Sequence, residues 1–195
     1  VQALFERTRR HVVPLFQRPY VWTRDRQWEP LWNDIVLLAS DNASSSTPRD
    51  HFMGAAVISK VKTMGRQIDA MDIIDGQQRL TTLQILLIAL RDFVHEMSYD
   101  PKLTTELRRL TLNESRMEQD FERFKVWPTN SDREVFERIA TAESRAVVEA
   151  LFPLPKQGQT KPKGRHPLAG AYLYFYDAIR EYVVVSEDTS VQLSG

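Results

Sequence analysis

Cysteine is absent from the 195 residues. That excludes disulfides and every thiolate metal site, and it agrees with an expected reducing, cytoplasmic setting. Long apolar runs are missing as well. The longest, Ile85 to Leu90, is six residues, against the roughly 18 that a membrane-spanning helix needs. Net charge is zero, 26 Lys and Arg against 26 Asp and Glu, which argues against a general DNA-coating protein. Histidine is scarce: His11, His51, His95 and His166 are scattered, and none pair at the i, i+3 or i+4 spacing of a helical metal site. No basic segment followed by an apolar one opens the chain, so no secretory leader is expected. The chain starts at Val1 instead of Met and is read as a piece of a longer protein.

What remains is an ordinary globular composition, 42% hydrophobic and 27% charged. The length suffices for a sizeable core, in one domain or one with an appendage. The charge is unevenly placed. Residues 1–26 hold Arg7, Arg9, Arg10, Arg18, Arg24 and Arg26 against Glu6 and Asp25, and residues 156–167 hold Lys156, Lys161, Lys163 and Arg165 with no acid. Each block nets +4 and suits contact with phosphates, although a solvated basic surface accounts for one such run equally well.

His11-Val12-Val13 reads as a short strand ended by Pro14, followed by an aromatic, proline-bound segment through Trp22. Thr23 is a candidate N-cap for a helix whose Trp28, Leu31, Trp32, Ile35 and Leu38 share one face. Residues 41–50 read as a polar loop. Phe52 to Val61 reads as a buried strand paired with Arg66 to Ile74 across a turn at Lys62-Thr63-Met64-Gly65. From Gln77 to about Met97, Leu80, Leu83, Leu87, Leu90, Val94 and Met97 recur at helical spacing, with Ile85, Leu86 and Ile88 off that stripe. This is expected to be the central core helix. Helices are then expected over Lys102–Leu112, from Ser131 or Asp132 to Ile139, over Ser144–Phe152 and over Leu168–Val185. The last has an aromatic face, Tyr172 to Tyr182, more suited to core or interface than to base stacking. The expected class is α+β, with a small α/β part at 1–98 and a helical subdomain at 102–186.

The most informative residues are Asp75-Gly76-Gln77-Gln78-Arg79, at an expected strand–turn–helix junction. A helix start presents unpaired N–H groups and partial positive charge, and therefore attracts phosphate. Gly76 allows close backbone approach. Arg79 offers a planar fork to phosphate oxygens, and Asp75 is a candidate Mg²⁺ or water ligand. The plainer alternative is a helix capped by Asp75 with its first turn solvated. Asp69, Asp72 and Asp75 recur every three residues, but in a regular strand that spacing alternates faces, so the three cannot all converge.

Four segments together resemble one family: Val13 to Trp22, His51-Phe52-Met53-Gly54, Ile74 to Leu83 containing the DGQQR run, and Trp127-Pro128-Thr129-Asn130-Ser131-Asp132-Arg133. They are similar to the N-terminal domain of GmrSD-type modification-dependent restriction enzymes, a group with a ParB/sulfiredoxin-like core that includes a phosphorothioate-sensing antiphage protein. The resemblance implies binding and hydrolysis of GTP or ATP with Mg²⁺, and regulation of a C-terminal His-Me finger nuclease domain that is absent from these residues. It implies catalytic roles for Asp75, Gln78 and Arg79. Nucleotide contacts are implied for Gly76, Gln77, Gln78, Arg79, Asn130 and Asp132. Phe16, Gln17, Arg18, Tyr20 and Trp22 are implied in sensing modified double-stranded DNA. Homo-oligomerisation stays open.

Bland readings stand beside these. Phe16, Tyr20 and Trp22 also suit core packing, Arg18 a surface ion pair, His51 a loop or cap, and Asn130 and Asp132 a helix cap. The rival function is a non-catalytic module that binds a nucleotide or a DNA backbone. Nuclease activity within these residues is the weakest reading, for want of a carboxylate cluster.

Overall fold

The computed structural model describes residues 2–44, 52–63, 67–114, 120–155 and 164–192. Among them the chain runs α1 (Gln2–Phe5), β1 (Arg9–Val12), a π-helical turn (Arg24–Trp28), α2 (Glu29–Ser44), β2 (Val57–Val61), β3 (Asp69–Asp75) and α3 (Gln77–Glu96). It continues through α4 (Pro101–Thr111), a 3₁₀ turn (Asp120–Arg123), β4 (Val126–Trp127), α5 (Asn130–Ala140), α6 (Arg145–Leu151) and α7 (Pro167–Gln192). The result is the expected α+β class. No helix among the described residues is long and apolar enough to cross a membrane.

The sheet order is β2-β3-β1-β4, with β2 antiparallel to β3, and β1 parallel to both β3 and β4. One face carries His11, Ile73 and Val126, each fully buried. Against that core lies α3, buried on nearly every side from Leu80 to Ala89 as its off-stripe apolar residues require, and flanked by α4 and α7. Both expected units, 1–98 and 102–186, contribute to one apolar cluster, and β4 of the second completes the sheet of the first.

A polar cluster ties the helices together inside this core. Arg91 Nε donates to Asp92 Oδ1 at 2.8 Å, and a second guanidinium nitrogen to the Ala140 carbonyl at 2.9 Å. The Tyr172 hydroxyl donates to Asp92 Oδ2 at 2.8 Å, so α3, α5 and α7 share one network. Burial pushes the Asp92 carboxyl up, while Arg91 and then Tyr172 pull it back.

Several expectations change in the structure. Phe52 to Val61 is not a buried strand: only Val57–Val61 pairs, at the sheet edge, with Phe52 83% exposed. An apolar run alone does not distinguish an edge from an interior strand. The helix expected to stop before residue 41 continues to Ser44, the α5 cap is Thr129 instead of Ser131 or Asp132, and α7 runs on to Gln192. Thr23 does precede a helix, but the first turn is π-helical, and Gln27 Oε1 accepts from the Thr23 N–H at 2.9 Å. His51, Met64 and Gly65, most of the 41–50 segment and Lys156, Lys161 and Lys163 lie outside the described residues.

Lys125 yields a pH test. The residue is 2% exposed and its ammonium donates to the Arg7 carbonyl at 2.9 Å; burial, then Arg109, lowers it to about 8. Below that value the charge is buried at full cost. Between about 8 and the ordinary 10.5 the unfolded chain holds a proton that the folded chain has released, so stability rises with pH. Tyr20 and Tyr172, both raised by burial, act oppositely above their ordinary value of 10.0. The Lys125 effect is therefore cleanest at about pH 8–10. Lys125→Met should flatten the rise in denaturant stability across that window. A slope equal to that of the wild type would contradict the assignment.

Candidate functional site

The three parallel strands end side by side, and each feeds one of the motif segments. β1 leads into the 13–22 loop, β3 into Gly76 and α3, and β4 through Pro128-Thr129 into α5. The carboxyl end of parallel strands is where α/β sheets place ligands, because loops diverge there and helix N-termini converge.

The 13–22 loop is fastened by side chains of the other two motifs. It opens with a turn in which the Gln17 N–H donates to the Pro14 carbonyl at 3.1 Å, and Gln17 Nε2 donates to the Ile74 carbonyl at 3.1 Å. Gln77 Nε2 donates to the Arg18 carbonyl at 3.2 Å. The Gln78 amide donates to the Pro19 carbonyl at 3.0 Å and accepts from the Val21 N–H at 2.9 Å, matching the loop backbone as a neighbouring strand does. Asp132 Oδ2 accepts from the Tyr20 N–H at 2.8 Å and from Thr129 Oγ1 at 2.7 Å. The buried Tyr20 hydroxyl meets Thr82 Oγ1 at 2.7 Å and accepts from Trp28 Nε1 at 2.9 Å. His166 Nε2 lies 3.6 Å from Asp132 Oδ1 while its Nδ1 accepts from the Leu168 N–H, so the α7 start is joined to the same carboxylate. Burial lowers the His166 imidazole, and Asp132 opposes that shift.

These contacts sort the expected residues. Gln77 and Gln78 are each 8% exposed, with amides engaged on the loop, and Tyr20 and Asp132 are buried with them. Asp75, Arg18 and Asn130 are exposed, and Phe16 is 82% exposed at the turn tip. Gly76 has φ +91 and sits against Ala55 and Ala56, where a Cβ would come within 3.2 Å of the Ala56 Cβ. The close approach expected at Gly76 is thus made by the chain itself. The α3 N-terminus has no side-chain cap, so Asp75 does not fill the capping role of the plainer reading.

Arg79 Nη1 donates to the Ala55 carbonyl at 2.6 Å and packs over Gly54, which joins the DGQQR turn to the 51–54 segment. Its side chain lines a cleft of about 220 Å³ with Trp22, Gln27, Leu31, Asp34, Phe52 and Met53. Gln17 and Arg18 are not among those walls. Gln27, Leu31 and Asp34 were missed in the sequence, although their i, i+4, i+7 spacing marks one helical face.

Gly54 tests the packing. A Cβ there would fall 2.7 Å from the Arg79 Cζ, at φ +85. Gly54→Ala should cost about 1–2 kcal/mol through the left-handed backbone and displace Arg79 from Ala55. The Arg79 Nε–H NMR resonance reads that movement; an unshifted signal would contradict the contact.

A register break changes which two of the three aspartates share a face, and all three still do not converge. β3 pairs Asp72 with Ser59 and Ile73 with Ile58, then Asp75 with Val57, leaving Ile74 as the extra residue. The bulge returns Asp75 to the face of Asp72, so two of the three aspartates share a side. No group of three His, Cys, Asp or Glu able to hold a metal occurs among the described residues. One or two carboxylates suffice where Mg²⁺ keeps its waters and takes its other ligands from a nucleotide's phosphates.

A model of the family described as "GmrSD restriction endonuclease, N-terminal domain" matches residues 1–193. No curated protein matches the chain. The match covers nearly the whole sequence and takes in all four converging motif segments: the chain belongs to the family of GmrSD restriction endonuclease N-terminal domains.

Proposed function

We propose that this chain is a nucleotide-binding and nucleotide-hydrolysing sensor domain of a modification-dependent restriction system, acting in the cytoplasm on a separate His-Me finger nuclease domain. The observation that carries the reading is the uncapped start of α3, with Arg79 beside it and Asp72 and Asp75 on one sheet face just before it. Phosphates of GTP or ATP accept from the first N–H groups of α3, and the Arg79 fork turns from Ala55 to a phosphate oxygen. Bound Mg²⁺ would neutralise the phosphate charge, with Asp75 and Asp72 holding it through water. Gln77 and Gln78 act by position: they tie the phosphate-gripping turn to the loop that displays Phe16 and Arg18 to DNA. Asn130, exposed at the start of α5, is left for a base or ribose, and Asp132 keeps Tyr20 and the loop in place. The core resembles the ParB/sulfiredoxin type, and the helical half passes the nucleotide state onward.

A second reading, a non-catalytic nucleotide or DNA-backbone module, is favoured by the engagement of both glutamine amides on the loop. Calorimetric binding of GTP and ATP, followed by phosphate release with Mg²⁺, separates the two. Turnover supports the first, binding without turnover selects the second, and no binding contradicts both. Neither reading predicts that this chain alone nicks modified supercoiled plasmid.

A further inference from the structure

The sheet has a second face, opposite the buried His11, Ile73 and Val126. By register it carries Arg10, Val12, Asp72 and Trp127. There the Arg10 guanidinium lies 4.4 Å above the Phe121 ring. Phe121 stacks on Trp127 at 5.9 Å and 29°, and the Arg133 guanidinium from α5 lies 5.4 Å over Trp127. Phe124 stacks on Trp127 as well, at 5.4 Å and 13°, so the rings form a stack with one guanidinium over Phe121 and another over Trp127. Arginine on an aromatic face is held flat, with its N–H edge directed sideways.

The arrangement is electrostatically incomplete. Arg10 Nε and Nη1 are buried with no hydrogen-bond partner, as is Arg9 Nε. Desolvation is the first cause lowering both Arg10 and Arg133; at Arg10 the charge of Glu122 opposes it, and Arg133 adds a smaller lowering. Arg133 Nε donates to the Pro128 carbonyl at 3.1 Å, so within the pair the unfilled donors are those of Arg10, at about 1–3 kcal/mol for each buried unpaired group. An oxyanion drawn to the pair would supply the acceptor that Arg10 lacks and offset the charge that Arg133 adds beside it.

We propose that Arg10 and Arg133 form a binding site for a backbone phosphate of duplex DNA, on the sheet face that also carries Asp72 but away from the start of α3. The ligand's identity rests on the restriction role of the family. Arg10, Phe121, Trp127 and Arg133 are each part-exposed, from β1, the 3₁₀ turn, β4 and α5, which leaves the cluster open to a polyanion in solvent. Sequence specificity is not expected from it, since phosphate contacts position a duplex without reading bases.

The test is fluorescence anisotropy of the 195-residue chain with a labelled duplex over a range of salt, using Arg10→Gln, Arg133→Gln and the double variant. Each single change should weaken binding about tenfold and lower the slope of log affinity against log salt by about one. GTP binding should be unchanged in both. A double variant with wild-type affinity and slope overturns the proposal, as does a wild-type chain that binds no duplex at low salt. Should Arg10→Gln lose its fold by circular dichroism, Arg133→Gln decides alone, because it sits at a partly exposed helix position. Loss of NTP turnover with duplex binding and its salt slope intact would instead contradict the hydrolysis reading and leave this site standing.

Discussion

Asp92→Ala should destabilise the chain by about 3–5 kcal/mol, the expected cost of leaving a buried charge without its partner. Arg91 and Asp92 are 3% and 1% exposed, and the carboxylate holds both the Arg91 guanidinium and the Tyr172 hydroxyl. Removing it strands a cation and a hydroxyl between α3 and α7 together. Against a total stability of about 5–15 kcal/mol, that is enough to unfold much of the population at physiological temperature. Replacing the whole polar set, Arg91→Met with Asp92→Leu and Tyr172→Phe, should recover most of the loss, since apolar residues of similar volume need no partner. Urea denaturation of the three chains measures this. A single variant within about 1 kcal/mol of wild type would contradict a buried, coupled pair.

Arg79→Ala should reduce NTP turnover by about a hundredfold or more, the scale of removing one preorganised cationic donor from a phosphoryl-transfer site. Its structural cost should stay near 1 kcal/mol, because the bond lost is a single exposed contact with the Ala55 carbonyl. Arg79→Lys should recover little, since a point charge does not reproduce the planar fork. Phosphate release measured beside thermal unfolding separates the two effects. Full turnover in Arg79→Ala would remove the α3 start from the mechanism.

The elements legible in the sequence are those whose signal is local. The six-position stripe from Leu80 to Met97 and its extra apolar residues identify α3 and its all-round burial, because helical period and burial are written in the same residues. The DGQQR turn was legible as a strand–helix junction for the same reason. Contacts between distant segments were not. Gln77 and Gln78 look like free polar residues on a helix start, and nothing periodic signals that their amides bind a backbone 59 residues away. The bulge at Ile74, which places Asp72 and Asp75 together, is invisible until β2 is paired with β3. Phe52 was misplaced because an apolar side chain at the surface reads the same as one inside. The candidate residues were thus legible by type, while their division into exposed and loop-holding groups needed the fold.

The central claim is that the start of α3 grips nucleotide phosphates while its glutamines hold the sensing loop. A crystal structure of the chain with a non-hydrolysable GTP or ATP analogue and Mg²⁺ tests it most directly. Phosphate oxygens are expected within hydrogen-bond distance of the first N–H groups of α3 and of the Arg79 guanidinium, with the Gln78 contacts to Pro19 and Val21 preserved. A nucleotide bound elsewhere, or one whose phosphates are held by Gln78 after it has released the loop, would contradict it.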